Sequence, residues 1–445
     1  MAGQPREHFT SHAGFVLAAV GSAVGLGNMW RFSYLAAENG GAAFVLLYLA
    51  MTTVIALPIL LAEFAIGRGA AKSPVAALDH FGGPAWRPLG ALFVASGFLI
   101  LSYYSVISGW TLRYLLEGAV SGLPADKGAY FETVTTGWSP VLWHLGFMGL
   151  TVFVVLGGVQ KGIQRTSLIL MPTLFVLVLG LAVYAGTLPG AEVGHRQYLQ
   201  PDLDHLFSLR VLGDAAGQAF FSLSLGMGAM LTYASYLTGD ENLPVESAVV
   251  AAADFGVAFV AGLVVFPLVF ALGLADDVGG STVGALFITI PSAFATLGGA
   301  GRIVGAIFFV ALTVGALTSA ISLLEVVVAS AIDRFGWSRR KAALSLGGTI
   351  AVLGLPSAAS IDVLGLVDQI AGSVFLIAGG LGLSLFVGWR MPDPETEVLR
   401  GARHVPWLPI WRFLLRFPVP LALLAILLGA TLPDTLAAVR DVAGG

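Results

Sequence analysis

The feature that most constrains this chain is a succession of apolar runs, each near the length that crosses a bilayer. A helical span needs roughly 20 apolar residues. Eleven stretches qualify: 14–36, 41–66, 88–118, 141–158, 165–188, 212–238, 247–275, 302–332, 342–356, 361–389 and 410–432. They are continuous rather than alternating, so helices are expected, not barrel strands. Only 11% of residues are charged and mean hydropathy is +0.88, where a soluble domain carries about 25% charge. The chain therefore reads as an all-α polytopic membrane protein. The 342–356 stretch is short and glycine-rich, which leaves its limits the least defined.

Several function classes drop out. There is no cysteine, which removes disulfides, thiolate metal sites and cysteine nucleophiles. The seven histidines lie at span ends or in loops without metal-like spacing. No nucleophile elbow or phosphate loop is present, so an enzyme is not expected. The polar start "MAGQPREHFTSHAG" runs straight into a spanning-length stretch, which argues against a cleaved signal peptide. The net charge of -4 points to no nucleic-acid partner. Membrane lipid is the expected surround, and no obligate protein partner is evident.

Short-loop cations set the orientation. With the N-terminus inside, inner loops carry Arg68, Lys72, Arg87, Lys161, Arg165, Arg334, Arg339, Arg340, Lys341, Arg390, Arg400 and Arg403. Outer loops carry only Lys127, Arg196, Arg210, Arg302 and Arg440. This favours an N-terminus in the cytoplasm, and residues 1–13 form a cytoplasmic segment. The outer segments 119–140 and 189–211 are long enough to fold over the mouth. Segment 276–301 is apolar enough to dip inward as a lid, with Pro291 and Gly298–Gly299 arguing against a full span.

Two spans are interrupted. Span 1 contains "VGSAVGLGNMWRF" (20–32) and span 6 contains "SLSLGMG" (222–228). Glycine and asparagine are poor in a helix interior. Close packing of small residues is one explanation for either break alone. Both breaks at matched positions, five spans apart, point instead to an inverted repeat with discontinuous helices meeting near the midplane. Spans 1–5 (14–188) would form the first repeat, spans 6–10 (212–389) the second, and 410–432 an eleventh span. Unwound backbone survives in a membrane only where it is buried in protein or lines a cavity.

At these residues the chain resembles the neurotransmitter:sodium symporters, in their bacterial amino-acid-transporting branch, and an eleven-span subset of it. The motifs "REHFTSHAGFVLAAVGSAVGLGNMWRFSYLAAENGGAAF", "LAEFAIGR", "YYSVISGW", "KGIQRTSLILMPTLF", "GQAFFSLSLGMGAMLTYASY", "FVAGLVVFP" and "GALTSAISLLE" carry the resemblance across nearly the whole chain. It implies a 5+5 inverted-repeat fold and two sodium sites. The first would be Ala23 (carbonyl), Asn28, Ser222 and Asp254. Many relatives carry Asn at the last position; a fixed carboxylate there implies chloride-independent transport. Asp254 could instead cap or pair structurally, but a mid-span carboxylate is costly and is read as functional by default. The second site would be the carbonyls of Gly21, Val24 and Gly315 with the hydroxyls of Thr318 and Ser319. Alone, such a Thr-Ser pair more often bonds back to its own helix.

The resemblance also implies the substrate site. Gly25 stands where monoamine-carrying relatives place Asp, leaving room for a substrate carboxylate against the backbone of Leu26 and Gly27. Tyr104 would donate to that carboxylate. Carbonyls of Ala23, Phe221 and Ser224, with Ser222, would receive the ammonium. Ile100, Phe221, Met227, Ser319, Ala320 and Leu323 would line an uncharged pocket suited to large aliphatic or aromatic side chains. Outside, Arg31 and Asp368 match the family's water-bridged gate, with Phe221 as the lid. Inside, Arg6 and Asp333 match the cytoplasmic pair, with Tyr236 nearby and Phe9 in place of a tryptophan plug. Without the family, Arg6 reads as an interfacial anchor. Gly162 and Pro172 match the spacing that unwinds the inner half of span 5 for ion release; a static proline kink is the alternative. Glu63 would bond the unwound backbone of span 6. The function implied is sodium-coupled import of neutral hydrophobic amino acids. A substrate-gated channel or non-transporting sensor on the same fold is the alternative.

Overall fold

The computed structural model describes residues 7–201, 208–239, 241–271, 285–402 and 404–444. The described residues are overwhelmingly helical, as the continuous apolar runs require. Among the described residues nine helices are long and apolar enough to cross a membrane: Ala42–Ala70, Pro84–Val120, Ser139–Leu156, Val159–Gly186, Leu243–Phe270, Gly299–Phe335, Arg339–Ala359, Ile361–Arg390 and Leu408–Arg440. The pair His12–Ala23 and Gly27–Glu38, bent by 60°, makes a tenth. Two short helices, Leu209–Ser222 and Ala229–Ala234, stand where span 6 was expected. The break divides them into pieces too short to qualify singly.

The boundaries differ from the sequence reading mostly by extension. Span 9 was expected at 342–356 and runs over Arg339–Ala359. Ser338 caps its start by accepting from the Lys341 N–H at 3.3 Å, so the helix begins before the apolar residues do. Span 8 is the central column. It covers Gly299–Phe335, and its inward residues from Thr313 to Ala331 are almost all buried except Val314. Span 5 is its opposite, with most of its residues facing outward. Burial on all sides marks the helix that carries the site; lipid exposure marks a helix at the rim.

The outer segments fold over one end. Lys127–Thr135 and Ala191–Leu199 are helices, the former capped by Asp126 accepting from Ala129 N–H at 2.9 Å. Residues 276–284 of the expected lid lie outside the described residues. Its remainder forms the short apolar helix Leu286–Thr296. Phe287 there is fully buried and meets the rings of Trp110, Tyr114 and Phe131. One histidine departs from expectation. His144 is wholly buried inside span 4, where it bonds the Ser105 hydroxyl (3.0 Å) and the Ala351 carbonyl (2.9 Å). It ties spans 3, 4 and 9 together, a packing role.

Candidate functional site

The first helix opens with Ser11 accepting from Gly14 N–H at 3.1 Å and ends at Ala23. Val24 is extended (φ -78°, ψ 108°), and helical bonding resumes at Gly27. The last carbonyls of any helix lack intrahelical donors. Here Val24 N–H takes Val20 O (2.7 Å), and Ser22 O accepts from the hydroxyls of Ser224 (2.8 Å) and Ser319 (3.2 Å). Gly25 N–H turns to Asn28 Oδ1 (3.0 Å) and Leu26 N–H to the Tyr104 hydroxyl (3.3 Å). The carbonyl of Gly21, one of the expected ligands, thereby loses the helical donor that Gly25 would supply.

Span 6 breaks differently. After Ser222 the chain visits the left-handed region at Ser224 (φ 53°), Gly226 (φ 73°) and Gly228 (φ 75°). Gly226 admits no side chain, since a Cβ would stand 2.4 Å from the Leu376 carbonyl. The freed N–H groups of Gly226 and Leu231 donate to the two oxygens of fully buried Glu63, at 2.9 and 3.1 Å. This is the bond expected of Glu63.

Between the breaks lies a buried cluster. Asn28 Nδ2 donates to Asp254 Oδ1 (2.6 Å) and to Ser222 Oγ (2.7 Å). The Ser222 hydroxyl also reaches Asp254 Oδ1 and Oδ2 (2.8 and 2.9 Å), and Tyr48 donates to Oδ2 at 3.0 Å. Asn28, Ser222 and Asp254 are at most 1% exposed. All the side chains expected at the first ion site are therefore together. An oxygen-rich set with one carboxylate suits a hard cation. Asn28 departs from expectation in one respect: it shows Asp254 its NH2, while its oxygen faces Gly25. Tyr48 is a partner that sequence reasoning missed, because a single tyrosine in an apolar run gives no periodic signal.

The residues of the second site also converge. A Cβ on Gly21 would meet Thr318 Cβ at 3.2 Å, and one on Gly315 would meet Val24 O at 3.5 Å. Thr318 bonds back to Val314 and Gly315 (both 3.1 Å), as a solitary Thr-Ser pair would. Ser319 does not, pointing instead across to span 1.

A cavity of about 20 Å³, roughly one water, lies beside both clusters. Ala23, Gly25, Gly27, Asn28, Ile100 and Tyr104 line one part; Phe221, Ser222, Ser224, Met227, Ser319 and Leu323 line the other. Ala320 is buried but does not line it, and Leu26 contributes its N–H to Tyr104 instead. Ser22 lines it without having been expected. A side chain on Gly25 would stand 2.6 Å from Ser319 Oγ and 2.9 Å from the Tyr104 hydroxyl, so only glycine fits this packing.

The outer pair is not in direct contact. Arg31 lies over the Phe221 ring at 5.0 Å, a cation–π distance, and Asp368 accepts from Tyr103 at 2.6 Å. The Arg31 Nη1 atom is buried without a hydrogen bond. On the inner side Arg6 lies outside the described residues. Asp333 accepts from Ser73 N–H at 2.6 Å. Phe9 is buried edge-on to Phe15, Tyr233 and Tyr236. Sequence reasoning missed the stronger inner contact. Arg339 grips wholly buried Glu325 through two bonds (2.7 and 3.1 Å), Tyr236 donates to the same carboxylate, and Glu7 lies 3.4 Å from Arg339. Only tertiary folding pairs these charges. Near Gly162 and Pro172, residues Val159–Gly186 are helical throughout. Thr10 and Gln164 are doubly bonded (2.9 and 2.6 Å), and Glu7 accepts from Val159 N–H.

Two broken helices crossing over buried oxygen ligands, inside a bundle of membrane-length helices, define an ion-coupled secondary transporter built on the inverted-repeat fold. The chain belongs to the sodium:neurotransmitter symporter family, whose model matches residues 6–136 and 136–431. It is 37% identical to the uncharacterised sodium-dependent transporter YhdH of Bacillus subtilis, over 96% of this chain and 98% of that one. It is 34% identical to an uncharacterised sodium-dependent transporter of Methanocaldococcus jannaschii, over 95% and 89%. The crystal structure of MhsT in complex with L-phenylalanine superposes with a TM-score of 0.88 at 44% identity, covering 96% of this chain and all of that one. The protein is thus a sodium-dependent symporter and not an enzyme.

Proposed function

We propose that this symporter imports neutral amino acids with large aliphatic or aromatic side chains, coupled to sodium at two sites and independent of chloride. The observation that carries the reading is the buried Asp254–Ser222–Asn28 cluster touching an uncharged pocket. Sodium entering the first site would take Asp254 and Ser222 as ligands, and Asn28 would turn its oxygen toward the ion. The substrate carboxylate would complete that shell and accept from Tyr104 and the Leu26 N–H, which face each other here. Ile100, Phe221, Met227 and Leu323 would hold its side chain, and a relative 44% identical binds L-phenylalanine. Asp254 supplies a fixed negative charge beside sodium, which makes a chloride counter-ion redundant. Pro172 and Gly162 would let the inner half of span 5 unwind for release. Arg31 and Asp368 would close the outer side, and Arg6 and Asp333 the inner. Residues 14–188 and 212–389 are assigned to the two repeats, in a bacterial inner membrane with the N-terminus in the cytoplasm.

Liposome uptake tests this. L-phenylalanine should accumulate only under an inward sodium gradient, and equal uptake with potassium would refute the coupling. Asp254→Ser should make transport respond to chloride; an unchanged anion response would remove the chloride claim. Counterflow of preloaded substrate separates this reading from a gated channel or a sensor, neither of which exchanges cargo.

A further inference from the structure

A second cavity is lined by none of the residues that line the substrate pocket. It is a groove of about 870 Å³ between the inner halves of spans 3, 8 and 9. Its floor is apolar, with Val94, Phe98, Val327 and Leu346 among its walls. Two cations, Arg87 of span 3 and Arg334 of span 8, line it, and no carboxylate does. Both cations sit at one end. Arg87 begins its helix and Arg334 stands next to last in its own. That end also holds Glu7, Lys72 and Asp333 around a neighbouring cavity, so it is the end of the N-terminal segment.

The groove has the polarity and length of a lipid. From Arg87 to Leu99 along span 3 is about 18 Å at 1.5 Å per residue. One leaflet of the hydrocarbon core is about 15 Å deep. Arg87 is 44% exposed on its side chain, and Phe335, beside Arg334, is 66% exposed. Asp79, which is outside the groove lining, meets Arg87 through Nε and Nη2, both at 2.9 Å. Arg87, and more weakly Arg334 and Lys72, hold its carboxyl below the usual range. The two groove cations therefore act on one field; Asp79 pairs with Arg87 from beside the groove, and no carboxylate stands in the groove between Arg87 and Arg334.

We propose that this groove is a binding site for an anionic phospholipid, whose phosphate meets Arg87 and Arg334 while an acyl chain lies along spans 3, 8 and 9. The occupant bridges three helices of which two, spans 3 and 8, carry Tyr104, Thr318 and Ser319 on their other faces. Lipid in this groove would brace the walls of the transport site from behind.

The test uses the full chain, delipidated in detergent, with native mass spectrometry and thermal unfolding as readouts. Three probes are compared: dioleoyl phosphatidylglycerol, dioleoyl phosphatidylcholine and inorganic phosphate. A cation near an anionic headgroup is worth roughly fivefold in affinity, so Arg87→Gln with Arg334→Gln should weaken phosphatidylglycerol by about thirtyfold. Phosphatidylcholine should bind more weakly from the start and respond little to that pair of changes. Ala91→Trp, which fills the groove from an exposed position without touching either cation, should displace both lipids. Equal retention of the two lipids by the unaltered protein would overturn the proposal. So would undiminished phosphatidylglycerol binding in Ala91→Trp, or equal stabilisation by inorganic phosphate alone.

Discussion

The two broken helices solve one problem in opposite ways. Each leaves backbone groups unpaired at the depth where water is absent. In span 6 the freed N–H groups go to Glu63, a carboxylate from another helix that no transport step requires to move. In span 1 they go to Asn28 and Tyr104, groups the proposed mechanism needs for sodium and substrate. In the proposed mechanism one break keeps its cap, while the other exchanges its partners for cargo. The same local irregularity would then serve as a fixed corner in one helix and as an exchangeable site in the other.

That contrast can be broken by mutation. Glu63→Leu should have the largest effect. It strands two buried donors, each costing about 1–3 kcal/mol. The protein should unfold at much lower temperature, with no recovery on adding sodium; a normal melting curve would deny Glu63 its capping role. Asp254→Asn should leave folding largely intact yet weaken sodium by tenfold or more, since hydrogen bonds to a charged group are worth about 1.5–3 kcal/mol. Sodium-dependent thermal shift reads this directly. Gly25→Asp should cost about 1–3 kcal/mol through overpacking against Ser319 and Tyr104 and abolish amino-acid binding, measured by substrate-induced stabilisation. Tyr104→Phe removes one acceptor from Leu26, and substrate affinity should fall by roughly fivefold to tenfold. Ser224→Gly should change least. It relieves a left-handed residue, worth about 1 kcal/mol, and loses a comparable bond to Ser22. A large stability change there would mean the span 6 corner is less rigid than its Glu63 cap implies.

Both corners were legible in the sequence, because glycine and asparagine in a bilayer-length apolar run conflict with a continuous helix. Asp254 was legible for a related reason: a carboxylate at that depth needs partners. The resemblance then supplied the correspondence between spans 1, 6, 7 and 8 that spacing alone leaves open. What stayed hidden depends on distant charges finding each other. Glu325 and Arg339 lie on adjacent helices with a turn between them, and no pattern predicts that their side chains fold back together. Tyr48, Ser22 and His144 were likewise invisible, since each is a lone polar residue in an apolar run and its role is set by neighbours from other spans. Around Arg31 the sequence named the right neighbours but not their contacts: the guanidinium rests on the Phe221 ring, and Asp368 accepts from Tyr103.

The paired bonds between Thr10 and Gln164 join the inner ends of spans 1 and 5. Two such bonds are worth about 1 kcal/mol each. That is a clasp rather than a lock. It is strong enough to keep both ends shut most of the time, and weak enough for thermal motion to spring it within the range of ordinary local opening. Because the Gln164 amide makes both bonds, turning that one side chain away frees the backbone and the hydroxyl of Thr10 at once.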